Sequence, residues 1–272
     1  MSIAYYAQTA DIDHWDGVWA EERLDRLVAV AHRDPLTTCL EDHLPGQGLI
    51  LEGGCGLGQY VVYLRDRGYN VVGGDFSLKA LRVHREVRPD SPLLCLDLCR
   101  IPVADGAFQA HVSIGVVEHI QEGPQELLHE FYRTLAPGGI LLLSVPWVNV
   151  YRRLTRPFIV RRQARLRGEG AHFYQYALAR REVRAFLAEA GFRVRAFYPY
   201  SPARGMREVP VLRRTRSRPP EAKTVWRAGD RAAPVQAPLN CGVQGVRRLL
   251  YWPPVLWAFA HMILAVAEKP ES

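Results

Sequence analysis

The sequence predicts a doubly wound α/β sandwich, three layers deep, and two observations carry the prediction. From about residue 48, short and continuously apolar runs alternate with helical stretches, as they do when strands are buried on both faces and joined by crossover helices. Glycines, prolines and Asp-Gly pairs punctuate the runs where a strand must turn into a helix or back. Right-handed crossovers then wind the sheet in both directions.

The elements follow in order. "GLILEGG" reads as a buried strand and "GQYVVYLRDRG" as a helix closed by Gly68. "YNVVGGD" is a second strand, after which Ser77 is placed to cap a helix running to about Arg88. "PLLCLDL" is a third strand and "FQAHVSIGVV" a fourth, entered through the turn Asp105-Gly106. Gly123-Pro124 opens a helix that Pro137-Gly138-Gly139 ends, and "GILLLSVP" is the fifth strand. Beyond Pro146 the pattern breaks into a basic, aromatic stretch over residues 147–176. "LARREVRAFLAEAGF" is then an amphipathic helix ending at Gly191, "RVRAFYPY" a sixth strand and "MILAVAEKP" a closing strand. The first 45 residues predict one helix, near Trp19 to Arg33, behind an aromatic and acidic lead-in.

These readings divide the chain. Residues 1–45 form a helical, aromatic lid segment, in which Tyr5, Tyr6, Trp15 and Trp19 are candidates to cover a ligand. Residues 46–199 and 255–270 form the core, with 147–176 as an insertion on the substrate side. Residues 200–254, rich in Pro and Arg, form an excursion before the last strand.

Composition narrows the function classes. A chain with 48% hydrophobic and 23% charged residues is not a disordered one. The five cysteines, Cys39, Cys55, Cys95, Cys99 and Cys241, match neither a disulfide framework nor the paired spacing of a zinc site, so no metal is expected. The first twenty residues lack the apolar run of a secretory signal, which predicts a cytoplasmic protein. Leu249 to Ala267 is long and apolar, but Pro253-Pro254 and His261 interrupt it, so a buried final strand with an apolar lead-in is expected. Peripheral contact with a membrane stays open. The net charge of +7 is concentrated: seven arginines lie between Arg152 and Arg167 and six more between Arg204 and Arg218. Such clusters attract phosphates, nucleic acid or anionic lipid, or simply solvate a surface.

The string Leu51-Glu52-Gly53-Gly54-Cys55-Gly56-Leu57-Gly58 carries the chemistry. A strand that ends in glycines and turns into a helix lets backbone approach a ligand and aims a helix N-terminus at it. Neither register of these glycines completes the GxGxxG of a dinucleotide site, because Gln59 or Val61 stands at the third position. An acid followed by GxGxG suits a cofactor with a charged amino-acid end.

In this light "LILEGGCGLGQYVVYL" resembles the first motif of the class I S-adenosylmethionine-dependent methyltransferases. "VVGGDFS" and "CLDL" resemble the second and third, and "VSIGVVEHI" with "LAPGGILLLSVP" the fourth and fifth. The later "FYQYALARREVRAFLAEAGFRV" is similar to the family's small-molecule, type 11-like branch. The resemblance implies a Rossmann-like, mostly parallel seven-stranded sheet with an antiparallel final strand, and S-adenosylmethionine as cofactor. It implies that Gly54, Gly56 and Gly58 line the methionyl end and that Glu52 holds the turn or the amino group. Asp75 would accept from both ribose hydroxyls and Phe76 would pack beside the adenine. Asp97 would receive the exocyclic amine, the Leu98 backbone would pair with the ring, and the Gly115 region would face the methionyl ammonium. His119 and His172 are the candidates for proton transfer, and Tyr174 and Tyr176 for acceptor binding.

No "NPPY"-like string follows the fourth strand, which argues against acceptors that are flipped adenines. A small-molecule acceptor, anionic or lipid-like, is the leading expectation. An RNA methyltransferase, kept open by the arginine clusters, and a non-catalytic scaffold of the same fold are the alternatives, and no obligate partner is evident.

Overall fold

The computed structural model describes residues 1–7, 17, 19, 22–209 and 249–271. Most of the expected excursion, residues 210–248, lies outside the described residues, as do Trp15 and Cys241.

The chain begins with strand β1 (Ile3–Ala7), followed by helices α1 (Leu24–Ala31) and α2 (Pro35–Glu41). The helix expected near Trp19 to Arg33 is α1, and a second, not expected, follows it: Asp34 accepts from the Leu36 amide and Pro35 takes the first helical position, so the chain restarts there. The core then alternates β2 (Ile50–Gly53), α3 (Gln59–Arg65), β3 (Val71–Asp75), α4 (Leu78–Val87), β4 (Leu93–Cys95) and β5 (Phe108–Ile114). A 3₁₀ turn at Val117–His119 leads to α5 (Gln125–Thr134) and β6 (Leu135–Pro146). Ser77 caps α4 as expected, its hydroxyl accepting from the Ala80 amide at 3.1 Å. Pro137-Gly138-Gly139 does not lie between helix and strand: α5 stops at Thr134, and the three residues are taken up where the β5–β6 register jumps from Phe108↔Leu135 to Ala110↔Ile140.

Past Pro146 come α6 (Val150–Gly168), β7 (His172–Ala177), α7 (Arg180–Glu189), β8 (Arg193–Tyr200) and the short α8 (Pro202–Met206). The last described elements are α9 (Pro253–Phe259) and β9 (Met262–Glu268). The apolar lead-in to the closing strand is therefore a helix. Pro253 and Pro254 sit in its first turn, where their missing N–H groups cost nothing.

Seven strands form one sheet in the order β4-β3-β2-β5-β6-β9-β8. The β2–β3, β2–β5, β3–β4 and β5–β6 pairings are parallel, and β9 runs antiparallel to both β6 and β8. Alternation along β6 shows how two layers of helix are held. Leu141, Leu143 and Val145 point into a core with Leu128, Phe131, Val183 and Leu187 from α5 and α7. Leu142 points the other way, into a core with Leu36, Leu40, Val61, Leu64 and Leu81 from α2, α3 and α4. The carboxyl ends of the parallel strands share one edge, where a ligand site belongs in this architecture. Over that edge β1 and β7 pair as a separate antiparallel ribbon, Ile3 opposite Ala177, and Trp147 bridges to Leu178 to join it to the core.

The ribbon region is pinned by a buried guanidinium. Arg152, in the first turn of α6, donates to the Trp147 carbonyl at 2.7 Å, to the Glu208 carboxylate through Nε at 2.9 Å, and to Glu208 Oε1 through Nη2. His261 Nδ1 lies 2.9 Å from the same Glu208 oxygen. Burial pushes the Glu208 carboxyl up, but hydrogen bonds from His261 and Arg152 outweigh it and hold it at about 2. We predict that Arg152→Ala costs about 3–5 kcal/mol, because it takes the guanidinium from the Glu208 carboxylate and the buried donor from the Trp147 carbonyl. Exposed Arg153→Ala should stay within about 0.5 kcal/mol. Denaturant unfolding of the two variants checks this, and equal midpoints would show the network to be idle.

Candidate active site

The turn after β2 is built from three glycines in the left-handed region, Gly54 (φ 73), Gly56 (φ 54) and Gly58 (φ 73). The space around it is filled to contact. A Cβ on Gly54 would meet Val116 Cγ2 at 2.3 Å, and one on Gly56 would meet the Trp19 ring at 2.4 Å. The Gly54 and Cys55 amides both donate to the Gly74 carbonyl, which ties the turn to β3.

Asp75 closes β3 and is buried. Its Oδ2 accepts from the Gly56 amide at 2.7 Å and its Oδ1 from the Ser77 amide at 2.8 Å. One carboxylate therefore holds the middle of the glycine turn and the start of α4 together. Next to it, the Phe76 ring is half exposed, and its carbonyl receives the Cys95 thiol across the β3–β4 edge. Asp97 is exposed just beyond β4, its Oδ1 accepting from the Cys99 amide at 2.9 Å, while Leu98 turns into the core.

Glu52 and Glu118 are the site's unusual groups. Glu52, inside β2, is buried with Oε2 lacking a partner among the described residues. Burial raises it from 4.5 to about 8, against the hydrogen bond from the Val61 backbone and with repulsion from Asp75 adding to the rise. Glu118, in the 3₁₀ turn, is also buried with an unpartnered Oε2, and burial raises it to about 8 against the pull of Arg204. Its Oε1 lies 3.5 Å from where a Gly115 Cβ would stand, and Gly115 itself is left-handed (φ 74). A buried, orphaned carboxyl is costly unless something cationic arrives to meet it. Two of them beside a glycine turn fit an amino-acid end that carries an ammonium, and so fit S-adenosylmethionine.

The other expected residues divide. His119 Nδ1 lies 2.7 Å from the Tyr174 carbonyl, so the ring donates there, and the two rings meet edge to face at 5.1 Å. Tyr176 donates to the Gln121 carbonyl and packs against Phe173. His172 stands exposed at the outer end of β7, opposite Ala7, and makes no contact with this cluster among the described residues. Trp19 reaches the glycine turn, whereas Tyr6 packs edge-on against Phe173 and Tyr5 lies under Arg152. Three groups were not singled out from sequence. Glu118 was masked by its neighbour His119, Arg204 was one of many arginines, and the buried pair Ser144–Tyr200 joins strands far apart in the chain. A separate open groove of about 560 Å³ runs between β1 and α6, away from the glycine turn.

A family model described as a methyltransferase domain matches residues 51–143. The chain carries a class I methyltransferase domain. The matched residues run from β2 into β6, and methyltransferase domains of this kind use S-adenosylmethionine. A demethylmenaquinone methyltransferase of Paenarthrobacter aurescens is 33% identical over 116 residues, covering 41% of this chain and 45% of the relative. A mouse (Mus musculus) tRNA (carboxymethyluridine(34)-5-O)-methyltransferase is 34% identical over 104 residues, 38% of this chain and 15% of that one. The chain spans about half the length of the curated relatives it matches. Among solved structures, the complex between the Trm112 methyltransferase activator of Haloferax volcanii and a methyltransferase aligns with TM-score 0.58 at 17% identity. It covers 94% of this chain and 97% of that one, and so shares the fold.

A pH dependence follows from the methyltransferase domain's two buried acids. Both are protonated at neutral pH without ligand, and a cation beside them favours the ionised form, so binding expels protons. Affinity for S-adenosylmethionine should therefore rise between pH 6 and pH 7, by up to about tenfold for each carboxyl that ionises. Glu52→Gln should flatten that slope in calorimetric titrations. Affinity independent of pH would contradict the pairing. Because both folded values lie above the ordinary 4.5, the unliganded protein should lose stability as pH rises from there towards 8.

Proposed function

We propose that the chain methylates a small-molecule acceptor carrying an anionic group, with S-adenosylmethionine as methyl donor. The reading rests chiefly on the two orphaned carboxyls, Glu52 and Glu118, on either side of the Gly54–Val116 contact. When bound, the cofactor supplies a methyl group on a positively charged sulfur that is already an activated leaving group.

The protein's part is then alignment, exclusion of water and handling of a proton. In this reading Gly54, Gly56 and Gly58 line the methionyl end, while Glu52, Glu118 and the Gly115 backbone face its ammonium. Asp75 takes the ribose hydroxyls, and Phe76, Asp97 and the Leu98 backbone frame the adenine. On the acceptor side stand Tyr174 and Tyr176. Arg204, whose charge acts on Glu118, Tyr174 and Tyr200, attracts the anionic group. His119 is the proton acceptor, its ring fixed by the Tyr174 carbonyl; the exposed His172 takes no part. A small-molecule acceptor is also what the name of the Paenarthrobacter relative describes. An RNA acceptor is the second reading, favoured by the exposed arginines of α6 and by the mouse relative.

Two variants test the assignment. Asp75→Ala should abolish calorimetric binding of S-adenosylmethionine while circular dichroism still reports a folded protein; unchanged affinity would remove the cofactor reading. Arg204→Ala should raise the acceptor KM about tenfold, the weight of one charge-assisted hydrogen bond, and leave cofactor affinity alone. A fall in cofactor affinity instead would place Arg204 on the cofactor side.

A further inference from the structure

Helices α6 and α9 leave apolar side chains on the surface that no described element covers. On α6, Val150, Leu154 and Phe158 follow at four-residue spacing and so share a face. Leu154 is 74% exposed and Phe158 78%. Helix α9, "PPVLWAF", is apolar on every side, yet none of its residues is buried. Trp252 at its start is 57% exposed and Leu249 just before it is exposed too, whereas Trp257 packs edge-on against the buried Trp147. The two helices contact each other, with the Tyr151 and Phe259 rings 6.2 Å apart. A helix that is apolar all round ordinarily lies in a protein core or in a membrane.

The charge on α6 itself has one sign. Helix α6 holds seven arginines and no acid. The face of Val150, Leu154 and Phe158 continues at helical spacing as Arg161 and Arg165, with Arg153 and Arg162 on its flanks. Arg152 is committed to Glu208 and Arg165 pairs with Glu169 just past the helix end. Arg153, Arg161 and Arg162 are exposed.

A second copy of the chain would bring this arginine row against itself in a two-fold interface, and repulsion opposes that. Single-stranded RNA would suit the arginines, but it would leave Val150, Leu154 and Leu249 in water. A surface that is anionic outside and apolar a few ångströms deeper satisfies both sets together. We propose that α6 and α9 dock on an anionic phospholipid surface, with Leu154, Phe158 and Trp252 entering the headgroup boundary and the exposed arginines meeting the phosphates. No helix among the described residues is long and apolar enough to cross a membrane, so the contact is one of lying on the surface. The inference does not depend on the acceptor or the cofactor.

Vesicle co-sedimentation of the full chain tests it. The protein should sediment with vesicles of equal parts phosphatidylglycerol and phosphatidylcholine, and remain in solution with phosphatidylcholine alone. Leu154→Ser with Phe158→Ser should weaken partition at least tenfold, equal to about 1.4 kcal/mol, and Arg161→Glu with Arg162→Glu should do the same. Because all four positions are exposed, the unfolding midpoint should hold in both variants. Failure to bind the anionic vesicles, or equal binding by the serine pair, would overturn the proposal. So would displacement from vesicles by poly(U) with an RNA affinity that the serine pair leaves unchanged, which would assign the face to nucleic acid.

Discussion

The site depends on one carboxylate. Asp75 accepts the Gly56 amide on one oxygen and the Ser77 amide on the other. It thereby joins a turn whose glycines have no side chains of their own to a helix start that would otherwise have loose donors. The turn's left-handed conformation is tolerable only in glycine, and its shape holds because Val116, Trp19 and Asp75 surround it. Packing therefore shapes this edge: neighbouring side chains come as close as three missing Cβ atoms allow.

Burial then sets the electrostatics. Glu52 and Glu118 lie where water cannot solvate a charge, and both rise to about 8. A site that holds neutral acids until a cation arrives is matched to a ligand with an ammonium and a sulfonium, and poorly matched to a pyrophosphate. The missing third glycine of the dinucleotide pattern and the orphaned carboxyls thus point the same way by independent physics.

The core was legible in sequence because its signals are local. "LILEGG", "VVGGD" and "GILLLSVP" each carry a continuous apolar run, and each became a strand of the sheet. The expected antiparallel closing strand is β9. Asp75 and the glycines were legible for the same reason, since strand end, acid and turn are neighbours in the chain. Helix α6 was not: apart from Arg152 it buries nothing, its apolar row of Val150, Leu154 and Phe158 is short among seven arginines, and Pro157 inside it reads in sequence as a break. The β1–β7 ribbon pairs residues about as far apart as Ile3 and Ala177, and no local pattern encodes that. Glu118 was hidden in plain view beside His119, because burial and an unmet oxygen are properties of the fold rather than of the string.

The most direct test of this account is a crystal structure with S-adenosylhomocysteine bound. The ribose hydroxyls should reach Asp75 while its bonds to the Gly56 and Ser77 amides persist, and the ammonium should lie within hydrogen-bond distance of Glu52 or Glu118. A ligand seated elsewhere, with Glu52 and Glu118 still unpartnered, would contradict it.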